Sequence, residues 1–177
     1  MISLETDRLL LRPLHGSDAN RIEELASKYD VAKTTLNIPH PYPPGSAKNF
    51  IQRVNISQEN GELVIFAIIE KSSQHLIGLI NIKINATHKR GELGYWIGAS
   101  YWGQGYCTEA ARELLRYCFK ELDLNKVLAN AFKNNPGSWR VMEKIGLIYE
   151  GTLKQHVYRF DQFYDLMMYG LIKDEYE

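Results

Sequence analysis

One stretch of the chain has residue types and an order that point to anion chemistry: residues 92–110, ELGYWIGASYWGQGYCTEA. It reads as a short strand, a glycine-rich turn and the start of a helix. Such a turn leaves several backbone N–H groups unpaired and facing one way. The positive end of the helix dipole adds to them, so an anion can be held there without a basic side chain. Gly103 and Gly105 allow a tight curl and a close approach of main chain to ligand, with no Cβ between. Two familiar phosphate motifs fail here. The nucleoside-triphosphate loop ends in Gly-Lys-Ser/Thr, with lysine on phosphate and the hydroxyl on magnesium, whereas Gly105 is followed by Tyr106 and Cys107. The dinucleotide fingerprint Gly-x-Gly-x-x-Gly meets Thr108 where its last glycine belongs. Glu121, near the position of a ribose-reading acid, reads as the exposed end of a helix. A pyrophosphate bound without metal remains, and coenzyme A carries one.

The elements that must position this turn can be read from periodicity and punctuation. Residues 9–14 form a first strand that Pro13 cuts off. Ser17 is expected to cap a helix whose apolar face is Ile22, Leu25, Ala26 and Tyr29. A proline-rich connection follows over residues 30–45, carrying His40 and Tyr42. Ser46 is expected to cap a second helix with Ala47, Phe50, Ile51 and Val54 facing inward. Residues 63–70 are a continuous apolar run, hence a buried strand. Strands at 77–84 and 91–98 follow, and the short turns between them make the three antiparallel neighbours. A helix over 108–122 buries Ala111, Leu114, Leu115, Cys118 and Phe119. The strand at 126–132 must lie parallel to 91–98, because a helix crosses between them. A short helix opens at Asn135, with Pro136 first, Lys144 in the last turn and Gly146 as the stop. Strands 146–158 and 162–169 close the chain as a long hairpin rich in Tyr and Met. It could be core or the interface of a homodimer. This order gives an α+β, three-layer fold: a mixed, mostly antiparallel sheet with helices on both faces.

Composition sets the outer bounds. The 177 residues suit a single domain over 1–177, burying roughly 70% of its unfolded surface. Lys plus Arg and Asp plus Glu balance at 21 each, which argues against nucleic acid as the main partner. Cys107 and Cys118 fall on one helix, about 16 Å apart at its rise per residue, too far for a disulfide. A reducing, cytoplasmic setting follows. No apolar run reaches about 18 residues, so no membrane span is expected. His15, His40, His75, His88 and His156 show no ligand spacing, so no metal is expected.

The string YWGQGYCTEA resembles the acetyl-coenzyme A loop of the Gcn5-related N-acetyltransferases (GNAT). It is most similar to the branch of ribosomal-protein N-terminal (RimJ/RimL-like) acetyltransferases. The family pattern, Arg or Gln, two residues, Gly, one residue, Gly or Ala, falls on Trp102, Gly105 and Cys107. Trp102 and Cys107 depart from it, and an aromatic before Gly-x-Gly is common in this branch. The opening Thr6, Arg8, Leu9 and Arg12 matches the same branch. So does N-x-x-S-x-x-V-x-x-K-x-G, here Asn135, Ser138, Val141, Lys144 and Gly146.

The resemblance implies acetyl-coenzyme A as cosubstrate and a splayed parallel strand pair that takes the pantetheine arm like an added strand. It implies that Tyr95, Trp96 and Ile97 bond the acetyl and pantetheine groups through the main chain. Trp102, Gly103, Gln104, Gly105, Tyr106, Cys107 and Thr108 would hold the pyrophosphate. Asn135 would bond the coenzyme arm, with helix capping alone as the bland alternative. Ser138 would face the sulfur. Many relatives have a tyrosine at the position of Met142 to protonate the leaving thiolate. Methionine cannot, so Ser138 or a bound water inherits that role.

An acceptor amine attacks the thioester directly, and only its neutral form has the lone pair. An α-amino group has pKa about 8 and lysine about 10.4. Glu92 is the candidate base, acting through water; an ion pair with Arg90 or Arg112 is its structural alternative. An oxyanion would be met by a main-chain N–H near Trp96. Cys107, at a helix N-terminus where thiol pKa falls, is a weaker candidate nucleophile. Trp96 and Trp102 could be packing residues, and His40 and Tyr42 could line the acceptor groove or decorate a stiff loop. A protein N-terminal α-amine is the favoured acceptor. A polyamine would want acids in the groove loops, and only Asp30 lies within 30–45. A small amine or antibiotic, or a silent coenzyme-binding scaffold, are the alternatives.

Overall fold

The computed structural model describes residues 2–176. Strands β1 (Leu4–Glu5), β2 (Leu9–Arg12), β3 (Leu63–Glu70), β4 (His75–Asn85), β5 (Arg90–Ile97), β6 (Lys126–Phe132), β7 (Ile148–Arg159) and β8 (Gln162–Ile172) form one sheet. Its order is β1-β2-β3-β4-β5-β6-β8-β7. All neighbours are antiparallel except β5 and β6, which run parallel. The helices are α1 (Ala19–Ala26), α2 (Tyr29–Ala32), α3 (Ser46–Glu59), α4 (Tyr106–Lys120) and α5 (Pro136–Lys144).

The sheet has a core on each face. Along β3, Ile65, Ala67 and Ile69 join α1 and α3 on one side, while Phe66 and Ile68 join α4 and α5 on the other. That is why the strand is apolar at nearly every position: neither face meets water. On α4, Ala110, Ala111, Leu114, Leu115, Cys118 and Phe119 are buried at helical spacing. Each buried leucine there contributes on the order of 2 kcal/mol. This mixed sheet, covered on both sides, is the expected architecture.

Several boundaries differ from the sequence reading. β1 adds a strand before the first expected one, pairing Leu4 with Leu11. Ser17 does not cap α1; it sits inside a short 3-10 turn, Gly16–Asp18. The buried Asp18 does the local work instead, accepting the His15 N–H at 2.7 Å and the two arms of Arg12 at 2.8 Å each. Ser46 is the first residue of α3, Gly45 precedes it at φ 79°, and the Ser46 hydroxyl donates to the Pro43 carbonyl at 2.7 Å. Tyr29 is 49% exposed rather than inward. α4 starts at Tyr106, earlier than expected, because Gly105 in the left-handed region lets the turn run straight into the helix. The closing hairpin divides its aromatics: Tyr169 is buried, while Tyr158 and Phe163 are exposed. Among the described residues, no helix is long and apolar enough to cross a membrane, and Cys107 and Cys118 are free.

Burial alone would push the Asp18 carboxyl up, but the Arg12 fork and the His15 amide outweigh it and hold it below 3.8. A depressed carboxylate stabilises the fold above its unfolded pKa, and the contribution is lost as pH falls through the folded value. Asp18→Ala should therefore cost roughly 3 kcal/mol at neutral pH, the cost of leaving Arg12 half-buried and unpaired. Urea unfolding measures it, and the gap to the parent chain should shrink as the pH falls below the ordinary carboxylate range and Asp18 takes up its proton. Equal midpoints at pH 7 would contradict this.

Candidate active site

β5 and β6 pair only from Arg90 with Lys126 to Leu93 with Ala129. Beyond that point the strands part. β5 continues to Ile97 against β4 alone, and β6 continues to Phe132 against β8 alone. The inward backbone edges of residues 94–97 and 130–132 thus face a gap instead of each other.

The glycine turn lies at the end of β5. Gly103 and Gly105 have φ of 73° and 81°, a region that costs a side-chain-bearing residue strain. The first amide of α4 with a main-chain partner is that of Glu109, donating to the Gly105 carbonyl at 3.0 Å. Among the described residues, the amides from Gly103 to Thr108 give no main-chain hydrogen bond. They form the positive start of a fifteen-residue helix. The Trp102 indole donates to the Ile97 carbonyl at 2.8 Å, which ties the turn to the strand end.

A second tie comes from the N-terminal end of the chain. Arg8 donates from its guanidinium to the Gln104 carbonyl at 2.9 Å and to Glu109 at 2.7 Å. Glu109 also accepts the Arg8 amide at 2.9 Å and the Thr6 hydroxyl at 2.5 Å. Its carboxyl feels burial first, but these bonds more than compensate and hold it below its ordinary value. Arg8 thereby satisfies an outward carbonyl of the turn and leaves the amides free. The sequence reading matched Thr6, Arg8 and the Thr-Glu-Ala string to one family without seeing that they meet.

Gap and turn open into one cavity of about 600 Å³. Tyr95, Trp96 and Ile97 line it from β5; Trp102, Gly103, Gly105, Tyr106, Cys107 and Thr108 from the turn; Asn135 and Ser138 from α5. Gln104 is the one expected coenzyme residue not on that wall; it is exposed, and its carbonyl is held by Arg8. Thr34 and Thr35, which the sequence did not single out, also line it. Arg140 and Lys144 also line it, four residues apart on one face of α5, and among the described residues no carboxylate does. The cavity therefore offers an anion two cations besides the main-chain amides.

Inside it, the Tyr95 hydroxyl donates to the Ser138 carbonyl at 2.8 Å, and the Ser138 hydroxyl donates to the Tyr95 oxygen at 3.3 Å. Burial keeps the Tyr95 phenol protonated well above its ordinary range. Asn135 precedes α5 but makes no side-chain cap; its amide reaches the Thr34 carbonyl at 3.4 Å. Capping is thus not what its side chain does. Met142 is buried in the core.

Other expected residues stand apart. Glu92 is exposed, does not line the cavity and accepts the Asn130 amide at 3.1 Å. Among the described residues neither Arg90 nor Arg112 pairs with it. It projects from the same sheet face as Trp96, beside the splay. Cys107 does not have the setting of a reactive thiolate: it packs against the core, and burial pushes its thiol up to about 12. His40 meets Tyr29 at a tilt, ring centroids 5.1 Å apart, and Tyr42 packs on the α1–α3 core. Neither lines the cavity.

The chain belongs to the GNAT acetyltransferase family. Residues 8–148 match the acetyltransferase (GNAT) domain. It is an acyltransferase of the N-acetyltransferase type, and acetyl-coenzyme A is the cosubstrate that GNAT proteins use. It is 30% identical over 177 residues to an uncharacterized N-acetyltransferase, p20, of Bacillus licheniformis, covering 99% of each chain. It is 31% identical to the ribosomal-protein-serine acetyltransferase of Escherichia coli (strain K12), covering 91% of this chain and 92% of that one. A crystal structure of a GNAT-family acetyltransferase from Bacillus anthracis superposes with a TM-score of 0.86 at 27% identity, covering 98% and 100%.

Gly105→Val puts a β-branched residue at φ 81°, a strain of order 1–3 kcal/mol. The turn must distort to relieve it. Acetyl-coenzyme A affinity, measured by calorimetry, should fall by at least about tenfold. Unchanged affinity would mean the turn is not the anion site.

Proposed function

We propose that this chain works as one N-acetyltransferase domain that moves the acetyl group of acetyl-coenzyme A to the α-amine of a protein N-terminus. The observation that carries the choice of acceptor is the lining of the cavity. It contains Arg140, Lys144, hydroxyls and aromatic rings but, among the described residues, no carboxylate. A polyamine keeps one or more positive charges after losing its attacking proton, and finds nothing there to pair with. A peptide α-amine carries a single charge, which it sheds before attack. The relative from Escherichia coli whose name specifies a ribosomal-protein serine supports the same choice. The free state of both cysteines supports a reducing, cytoplasmic setting.

The chemistry assigned to this chain's residues is direct transfer. The free main-chain edge of β5 bonds the thioester arm, and an N–H near Trp96 meets the developing oxyanion. Glu92, through water, takes the proton of the amine. The N–C bond forms as the C–S bond breaks, and Ser138 donates a hydrogen bond to the departing sulfur. The Tyr95 bond to the Ser138 carbonyl keeps that turn of α5 in place. Two copies pairing through the exposed rings of Tyr158 and Phe163, 4.9 Å apart, complete this reading; analytical ultracentrifugation tests it, and a monomer at high concentration removes it.

Ser138→Ala should slow turnover by roughly ten- to a hundredfold while coenzyme affinity stays within about twofold. Equal turnover removes Ser138 from the mechanism. A peptide-library screen for thiol release should yield N-terminal acetylation of peptides and little reaction with spermidine. Acetylation of spermidine but no peptide would replace the acceptor class. Binding of acetyl-coenzyme A with no turnover for any amine would favour a scaffold.

A further inference from the structure

Arg159 ends β7, just before the hairpin turn at Phe160 and Asp161, both at positive φ. Its guanidinium does not point to a carboxylate. It donates to three carbonyls of one distant segment: Leu36, Ile38 at 2.6 Å and Ala32 at 3.3 Å. Its Nε is buried with no partner. The charge is stacked over Phe160, 4.7 Å from the ring centroid, and Phe160 meets Tyr29 edge-on at 5.5 Å. A cation set among carbonyls, with an unpaired donor and no counter-ion among the described residues, is costly unless its geometry is needed.

The segment it holds forms one wall of the cavity. Thr34 and Thr35 line that wall, and their hydroxyls turn back on the Val31 and Ala32 carbonyls at 2.8 and 3.1 Å. Residues 33–38 belong to no strand, so the sheet does not fix them. They are tethered from two sides. Asn135 bonds the Thr34 carbonyl from the coenzyme side, and Arg159 bonds the carbonyls flanking the two threonines from the hairpin side. The Asn135 bond, at 3.4 Å, is the weaker of the two. The guanidinium reaches these carbonyls from two separate nitrogens of one planar fork, a spread that the single nitrogen of an ammonium does not reproduce.

We propose that Arg159 is a positioning residue for the acceptor: it holds the Thr34–Thr35 wall against the gap and so sets acceptor binding, without acting on the coenzyme turn. This deepens the reading of the cavity as the transfer site and rests on it. The hairpin tip is thereby part of the acceptor apparatus, though it contributes no residue to the cavity wall.

The test compares Arg159→Met and Arg159→Lys with the parent chain. Amide hydrogen exchange reads the wall, calorimetry reads acetyl-coenzyme A, and kinetics with the best peptide of the screen read the acceptor. Exchange at residues 33–38 should rise by about tenfold or more in both variants, while residues 103–108 keep their rates. Acetyl-coenzyme A affinity should stay within about twofold, and the acceptor KM should rise about tenfold with a smaller change in kcat. Unchanged exchange at 33–38 in both variants overturns the proposal. So does faster exchange spread evenly over the sheet with an unaltered acceptor KM, the pattern of a merely structural residue. If Arg159→Met does not fold, Arg159→Lys, which keeps charge and stem but not the fork, carries the comparison. Failure of the parent chain to bind acetyl-coenzyme A would instead sink the reading of the cavity, and the exchange data would still decide the role of Arg159 in fixing the wall.

Discussion

Everything at this site depends on two parallel strands that stop pairing. From Leu93 and Ala129 onward, β5 and β6 hydrogen-bond only to their outer neighbours. An unpaired edge in a sheet interior is costly, because each main-chain group left dry and unbonded loses a hydrogen bond. The fold tolerates it because the gap opens into a cavity, where an extended amide-bearing ligand can complete the pairing. Apolar layers cover both faces of the sheet beside the gap. α4 and α5 pack on one side through Leu114, Val141 and Met142, and α1 and α3 cover the neighbouring strands on the other.

The turn after β5 solves a second problem with the same kind of group. Helix starts have donors without acceptors. Here the outward carbonyl of Gln104 is taken by Arg8, and the acid of the first turn, Glu109, is neutralised by Arg8 and Thr6. Glu109 would otherwise oppose a bound anion at short range. Pairing it from the N-terminal end of the chain leaves the amides of the turn, with Arg140 and Lys144 nearby, as the net electrostatic character of the pocket. On the proposed reading, the strand pair would take the neutral, amide-rich part of the coenzyme and the turn its charge.

Much of this was legible in the residues. The stretches at 63–70 and 126–132 coincide with β3 and β6 to the residue; the first is a continuous apolar run, and the second is bounded by the helix before it and the Asn-Pro-Gly start of the next helix after it. Gly103 and Gly105 pointed to a tightly curled turn, and both have positive φ. What was not legible was pairing over distance. Arg8 with Glu109, and Arg159 with the 32–38 segment, join residues about a hundred or more positions apart, and nothing in either neighbourhood marks the partner. β1 has only two residues, too short for any periodicity. Asn135 sits where a cap belongs but spends its amide on Thr34, and Cys107 sits where a thiolate is favoured but packs against the core, which pushes its thiol up. In both, tertiary packing overrode a sound local rule.

The central claim is that main-chain amides, those of the turn and of the parted strands, do the binding. Backbone amide NMR during an acetyl-coenzyme A titration tests it most directly. The account predicts large, saturable shifts at Gly103–Thr108 and at residues 94–97 and 130–132, with β1 to β3 unmoved. Saturable binding with those amides undisturbed, and the shifts gathered elsewhere on the surface, would contradict it.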